Sequence, residues 1–134
     1  LNENILKYIN NCSGILHLGA HRGVEAEVYN WFGKNVVWVE ALPKTFEYLS
    51  DNLFYYKNQI PLQALLTEKD NQEVLFNVSN HDAACSSIFK FTDEVKSNKH
   101  WSRRDHKMIK SVKLRSSKLD TLLKTNNIKP ENFE

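Results

Sequence analysis

Ile15-Leu16-His17-Leu18-Gly19-Ala20-His21-Arg22-Gly23 is the stretch on which the reading of this chain turns. An apolar run broken only by His17 enters two glycines spaced four apart, the pattern of a strand that ends in a sharp turn and feeds a helix. Glu40 stands 17 residues beyond Gly23, at the end of a second apolar run, Val36-Val37-Trp38-Val39. In doubly wound α/β folds the first strand-to-helix turn carries glycines because the backbone must bend tightly and let a ligand come close. An acid about 20 residues on, at the tip of the second strand, accepts hydrogen bonds from ribose hydroxyls. The step from Gly19 to Glu40 is 21, so the spacing predicts a nucleoside-containing cofactor.

The middle of the turn selects among nucleosides. A dinucleotide site places a second glycine where the pyrophosphate approaches and a third where the helix packs. Here those positions hold His21 and Val24. A histidine crowds a pyrophosphate but leaves room for S-adenosylmethionine, which has no phosphates, and histidine is among the non-glycine residues enriched at positive φ. The pattern favours a methyl donor over NAD. The plainer alternative is that Gly19 and Gly23 merely shape a turn, with His21 an exposed loop residue.

Around this motif the chain has 134 residues, 41% hydrophobic and 25% charged, enough for one core, so a single domain over residues 1–134 is expected. No apolar run reaches the roughly 20 residues that span a bilayer, and no basic-then-apolar leader opens the chain, so a cytoplasmic protein is the simplest expectation. Cys12 and Cys85 are too few for a disulfide scaffold, and no metal site is expected. The net charge of +2 hides a segregation: residues 1–89 hold 6 Lys/Arg against 10 Asp/Glu, residues 90–118 hold 10 against 3, and residues 119–134 hold 2 against 3. The basic stretch, with Trp101, His100 and His106, suits a polyanion or a solvated face. The six-residue step between those two histidines shares no helix face, which argues against zinc.

Periodicity organises the rest. A leading helix is expected over 2–11, a first strand over 15–18, and a helix whose apolar face is Val24, Val28, Trp31 and Phe32, ended by Gly33. The unbroken apolar run before Glu40 reads as a parallel strand covered on both faces. Pro43 opens a helix carrying Phe46, Leu49 and Leu53. Residues 60–66 read as a third strand, and Val74, Phe76 and Val78 alternate as a half-exposed strand making a hairpin with what precedes it. Residues 80–118 form an irregular basic segment containing a short strand at Val112 and Leu114. Ser117 to Asp120 resembles a capping box before a last helix over Leu119, Leu122 and Leu123. The expected fold is therefore α/β, a Rossmann-like doubly wound, mostly parallel sheet with an antiparallel hairpin addition. Its cofactor-binding half lies at about 13–80.

Four strings, "ILHLGAHRGVEAEVY", "VVWVEALPKTFEYLSDNL", "NHDAACSSIF" and "VKLRSSKLDTLL", resemble successive landmarks of the FkbM-type S-adenosylmethionine-dependent methyltransferases. The resemblance runs from about Ser13 to the end. It implies that Gly19, Ala20, His21 and Gly23 line the methionine end of the donor, that Glu40 with Ala41 holds the ribose, and that Ala64 and Leu65 border the adenine. Two departures stand out. The family commonly has an acid where this chain has His17, a role that Glu25 could take over. Its members also continue into a strand with an Asp-containing motif, so this chain is expected to be truncated before the fourth core strand. An apolar sheet edge left bare in that way predicts self-association.

Methyl transfer from a sulfonium depends mainly on positioning and needs a base only when the acceptor is a hydroxyl. His81 as base and Asp82 as its orienting carboxylate are the acceptor-side candidates, with Ser86 and Ser87 as binders of substrate hydroxyls. The same residues also suit a turn, since Asn and Asp make local backbone hydrogen bonds. The expected activity is O-methylation of a sugar or other hydroxyl-bearing metabolite. The alternative is a non-catalytic Rossmann-like binding module that uses residues 90–118 for a polyanion or nucleic acid; nucleic acid is not the expected partner of the enzyme reading.

Overall fold

The computed structural model describes residues 2–80, 82–92 and 106–133. The chain divides into two compact units, Leu1–Asp70 with Ser117–Glu134, and Asn71–Ser116.

The first unit is built on a parallel sheet of three strands in the order β1-β2-β3: β1 Ile15–Leu18, β2 Val36–Glu40 and β3 Gln59–Gln63. Helix α1 (Glu3–Asn11) precedes it, with the Asn2 side chain accepting from the Ile5 amide at 3.0 Å as an N-cap. Every residue of β2 is buried. Val36 and Trp38 pack with Ala20 and Ala26 and with Leu49 and Leu53 of α3 (Pro43–Leu53). Val37 and Val39 face the other way, against Leu123 of α4 (Leu119–Thr125) with Leu119, Leu122 and Phe133 around it. Helices on both faces explain why the β2 sequence is apolar without alternation. Each fully buried aliphatic or aromatic side chain there contributes about 1.5–3 kcal/mol.

Several elements depart from expectation. The helix after the glycine turn, α2, covers only Ala26–Trp31, and Val24 and Trp31 are 78% and 86% exposed. Its inward face is instead Ala26 with Tyr29, one helical turn apart, because the turn continues to Glu25 and the helix starts too late for Val24 to join its apolar stripe. The third strand is interrupted at Ala64, leaving Leu65–Leu66 as a separate β4. Gln59, one residue before the expected strand start, is 5% exposed and earns its place by bonding: its Oε1 accepts from Trp38 Nε1 at 3.0 Å, and its Nε2 donates to the Ala26 carbonyl at 2.8 Å. No side chain of the 117–120 segment caps α4. Asp70 does so from another part of the chain, accepting from the Lys118 amide at 2.7 Å and the Thr121 hydroxyl at 2.8 Å.

The second unit contains the antiparallel pair of β5 (Glu73–Ser79) and β6 (Met108–Ser117), the latter ending in the first unit. The antiparallel addition therefore exists, but β5 pairs with the strand that follows it: Glu73 faces Arg115 and Asn77 faces Ser111. Val74, Phe76 and Val78 share one face as their alternation predicts. Asn77 and Ser79, on the opposite face, are also buried, at 4% and 1% exposure.

Candidate functional site

The turn between β1 and α2 runs through the left-handed region three times, at Gly19 (φ 74°), His21 (φ 50°) and Gly23 (φ 67°). The two glycines are required for different reasons. A Cβ on Gly19 would meet nothing within 4 Å, so only the backbone conformation demands glycine there. A Cβ on Gly23 would lie 2.7 Å from Leu49 Cδ1, so this glycine also lets the turn lie against α3. Ala20 is buried in the core cluster and can reach a ligand only through its backbone.

Hydrogen bonds close the turn from within. The amides of Gly19 and Ala20 both donate to the Val39 carbonyl, at 2.9 and 3.0 Å, and the Gly23 amide donates to the Ala20 carbonyl at 2.9 Å. The His21 amide donates to Glu40 Oε2 at 2.9 Å, while the Leu42 amide donates to Oε1 at 2.9 Å. Glu40 is 8% exposed, so this carboxylate is a buried charge satisfied by two backbone donors, one on each side of it in the fold. Its own carbonyl accepts from the Ala64 amide at 3.0 Å, which brings Ala64 and Leu65 to the same end of the sheet. Thus Gly19, Ala20, His21, Glu40, Ala41 and Ala64 are gathered at the carboxyl edge of the parallel strands, where ligands bind in such sheets. A separate cavity of about 480 Å³ lies at the opposite, amino ends of the strands, lined among others by Ser13, Asn35, Lys57 and Phe133, and touches none of these residues.

Behind the turn sits an aromatic group that the sequence reading passed over. The His17 ring stacks on Trp38 with centroids 4.5 Å apart, and its Nδ1 shares a hydrogen bond with the Tyr29 hydroxyl at 3.2 Å. Burial holds the His17 pKa below its ordinary value, with the Glu25 charge opposing the shift. Burial, and then the same charge, push the Tyr29 hydroxyl up. Glu25 is thus close enough to act electrostatically on the position where the resembling sequences carry an acid.

The acceptor-side candidates lie in the second unit, and His81 is outside the described residues. Asp82 and Ala83 both adopt positive φ, at 63° and 65°. Ser86 Oγ accepts from the Ser79 amide at 3.0 Å and Ser87 Oγ from the Phe89 amide at 3.1 Å, so both hydroxyls build the loop. Asn77 completes it, exchanging backbone bonds with Ser87 and donating from its side chain to the Ile88 carbonyl at 3.2 Å. Residues 93–105 of the basic segment, with His100 and Trp101, lie outside the described residues. Within its described part, Lys113 pairs with Glu73 at 2.8 Å on the surface, a contact worth about 0–1 kcal/mol. Among the described residues no group of three His, Cys, Asp or Glu side chains is placed to hold a metal ion, and no helix is long and apolar enough to cross a membrane.

Comparison with family models gives a match to the Methyltransferase FkbM domain over residues 17–133. Neither the curated proteins nor the solved structures provide a match.

Proposed function

This chain belongs to the FkbM methyltransferase family, and we propose that it takes S-adenosylmethionine at the Gly19–Gly23 turn and methylates a hydroxyl of a sugar or similar metabolite. The observation that carries the donor assignment is the use to which the turn puts its amides. Phosphate sites at strand-to-helix turns work by aiming free backbone N–H groups at the anion. Here the amides of Gly19, Ala20, His21 and Gly23 are all engaged, and one of them holds a carboxylate. A pyrophosphate would bring two negative charges to spent donors and a like charge, whereas the methionine end of the donor is a zwitterion whose single carboxylate is balanced by its own ammonium.

Glu40 suits the ribose because a carboxylate has about four acceptor positions and only two are used by His21 and Leu42. The open side of Gly19 leaves room for the methionine end. When bound, the donor supplies an electrophilic methyl group on a sulfonium. The residues of the chain then need to orient it, keep the ribose in register and accept the proton that leaves the acceptor hydroxyl. On chemistry alone that proton goes to His81, with Asp82 orienting the imidazole. Ser86 and Ser87, whose hydroxyl oxygens accept loop amides, keep their O–H donors for a substrate oxygen.

Calorimetric titration of the protein with S-adenosylhomocysteine tests the donor assignment. Binding is expected, with affinity falling by about tenfold or more in Glu40→Ala, and NAD is expected to give no heat. NAD binding, or affinity unchanged in Glu40→Ala, overturns the reading.

A further inference from the structure

We infer that Tyr48 and Asn52, successive residues on the outer face of α3, are positioning residues that hold the second half of the donor turn; the consequence for donor affinity rests on the reading above. The first half of the turn, Gly19 to His21, is anchored by the Val39 carbonyl and by Glu40. Arg22 follows, between His21 and Gly23, both of positive φ. Two contacts from α3 meet it there. Asn52 Nδ2 donates to the Arg22 carbonyl at 2.8 Å, and the Arg22 guanidinium carbon lies 5.2 Å from the centre of the Tyr48 ring, within cation–π range.

The spacing of 48 and 52 is one helical turn, so both side chains come off the same side of α3. That side is not the core side: Tyr48 is 44% exposed and Asn52 is exposed, while Thr45, Leu49 and Leu53 are the buried residues of the helix. Core packing therefore explains Leu49 and Leu53 but not Tyr48 or Asn52. Their partner is the turn. With Leu49 beneath Gly23 and the outer pair on Arg22, α3 grips two consecutive turn residues. A turn held in its binding shape before the ligand arrives raises apparent affinity by raising the fraction of molecules that are competent to bind.

Tyr48→Phe, Tyr48→Leu and Asn52→Ala, each titrated with S-adenosylhomocysteine and followed by hydrogen exchange without ligand, test this. Tyr48→Phe keeps the ring face and is expected to bind as the parent does. Tyr48→Leu is expected to weaken binding about two- to fivefold and Asn52→Ala about fivefold, with faster ligand-free exchange at the amides of residues 22–24 in both. Parent-like affinity and exchange in Tyr48→Leu and Asn52→Ala overturn the inference, and so does a loss in Tyr48→Phe equal to that in Tyr48→Leu. If the parent itself does not bind the ligand, the donor reading fails, and the exchange measurement alone still decides whether α3 holds the turn.

Discussion

Around β2 the first unit buries an unbroken apolar run, while β5 of the second buries Asn77 and Ser79 beside Phe76 and Val78. Around β2, Val36 to Val39 are at most 2% exposed and pack against helices on both faces, and the polar groups that enter, Glu40 and Gln59, are each bound to two partners. In the second unit, Asn77 and Ser79 are as deeply buried, but they tie the 82–89 loop to β5 through backbone amides and carbonyls. The difference matters for function. A dry, two-faced core can hold a turn with three positive-φ residues in one shape, because two are glycines and the third, His21, is fixed through its amide by the buried Glu40 carboxylate. A loop held by hydroxyls and an amide side chain is fixed by fewer and more adaptable contacts.

Three substitutions sharpen or break this contrast. Gly23→Ala should have the largest effect, about 3 kcal/mol of stability lost in urea denaturation, since it adds left-handed strain to overpacking against Leu49. Gly19→Ala, with nothing within 4 Å, should lose only the backbone share, about 1 kcal/mol. Equal losses at the two glycines would show that packing against α3 does not matter. Asn77→Ala should cost about 1–3 kcal/mol, by stranding the Ile88 carbonyl and the Ser111 hydroxyl that its side chain serves. Its signature is faster hydrogen exchange within residues 71–92 and unchanged exchange in β1 and β2; a uniform acceleration would mean that the two units do not differ as described.

The smallest effect belongs to Asp70, the half-buried carboxylate that caps α4. The Lys118 amide, then the Thr121 hydroxyl, hold its carboxyl below the ordinary value of 3.8. A carboxyl whose folded pKa is depressed adds stability that is present above its unfolded pKa and lost as pH falls through its folded pKa. Asp70→Asn should therefore melt lower than the parent at neutral pH, with the gap closing below about pH 4. A gap that is the same at pH 3 and pH 7 would remove the charge from this cap.

Local features of the chain carried much of this structure. The glycines four apart after a short apolar run, and the second apolar run without alternation, pointed to a strand ending in a sharp turn and to a strand covered twice, because such readings draw on backbone sterics and side-chain period. The meeting of Gly19, His21 and Glu40 at one sheet edge followed from those same rules. What they could not supply was the partner of each polar side chain. Glu40 reaches back 19 residues to the His21 amide, Asp70 replaces Ser117 as the cap of α4 from 48 residues before Lys118, and Asn52 grips Arg22 from 30 residues away. The pairing of β5 with a later strand, and the choice of Ala26 and Tyr29 over Val24 and Trp31 as the inward face of α2, belong with them. These pairings were settled only when the helices packed on the sheet, because a hydrogen bond or a buried face depends on which distant groups packing brings within about 3 Å, and sequence period carries no record of that distance.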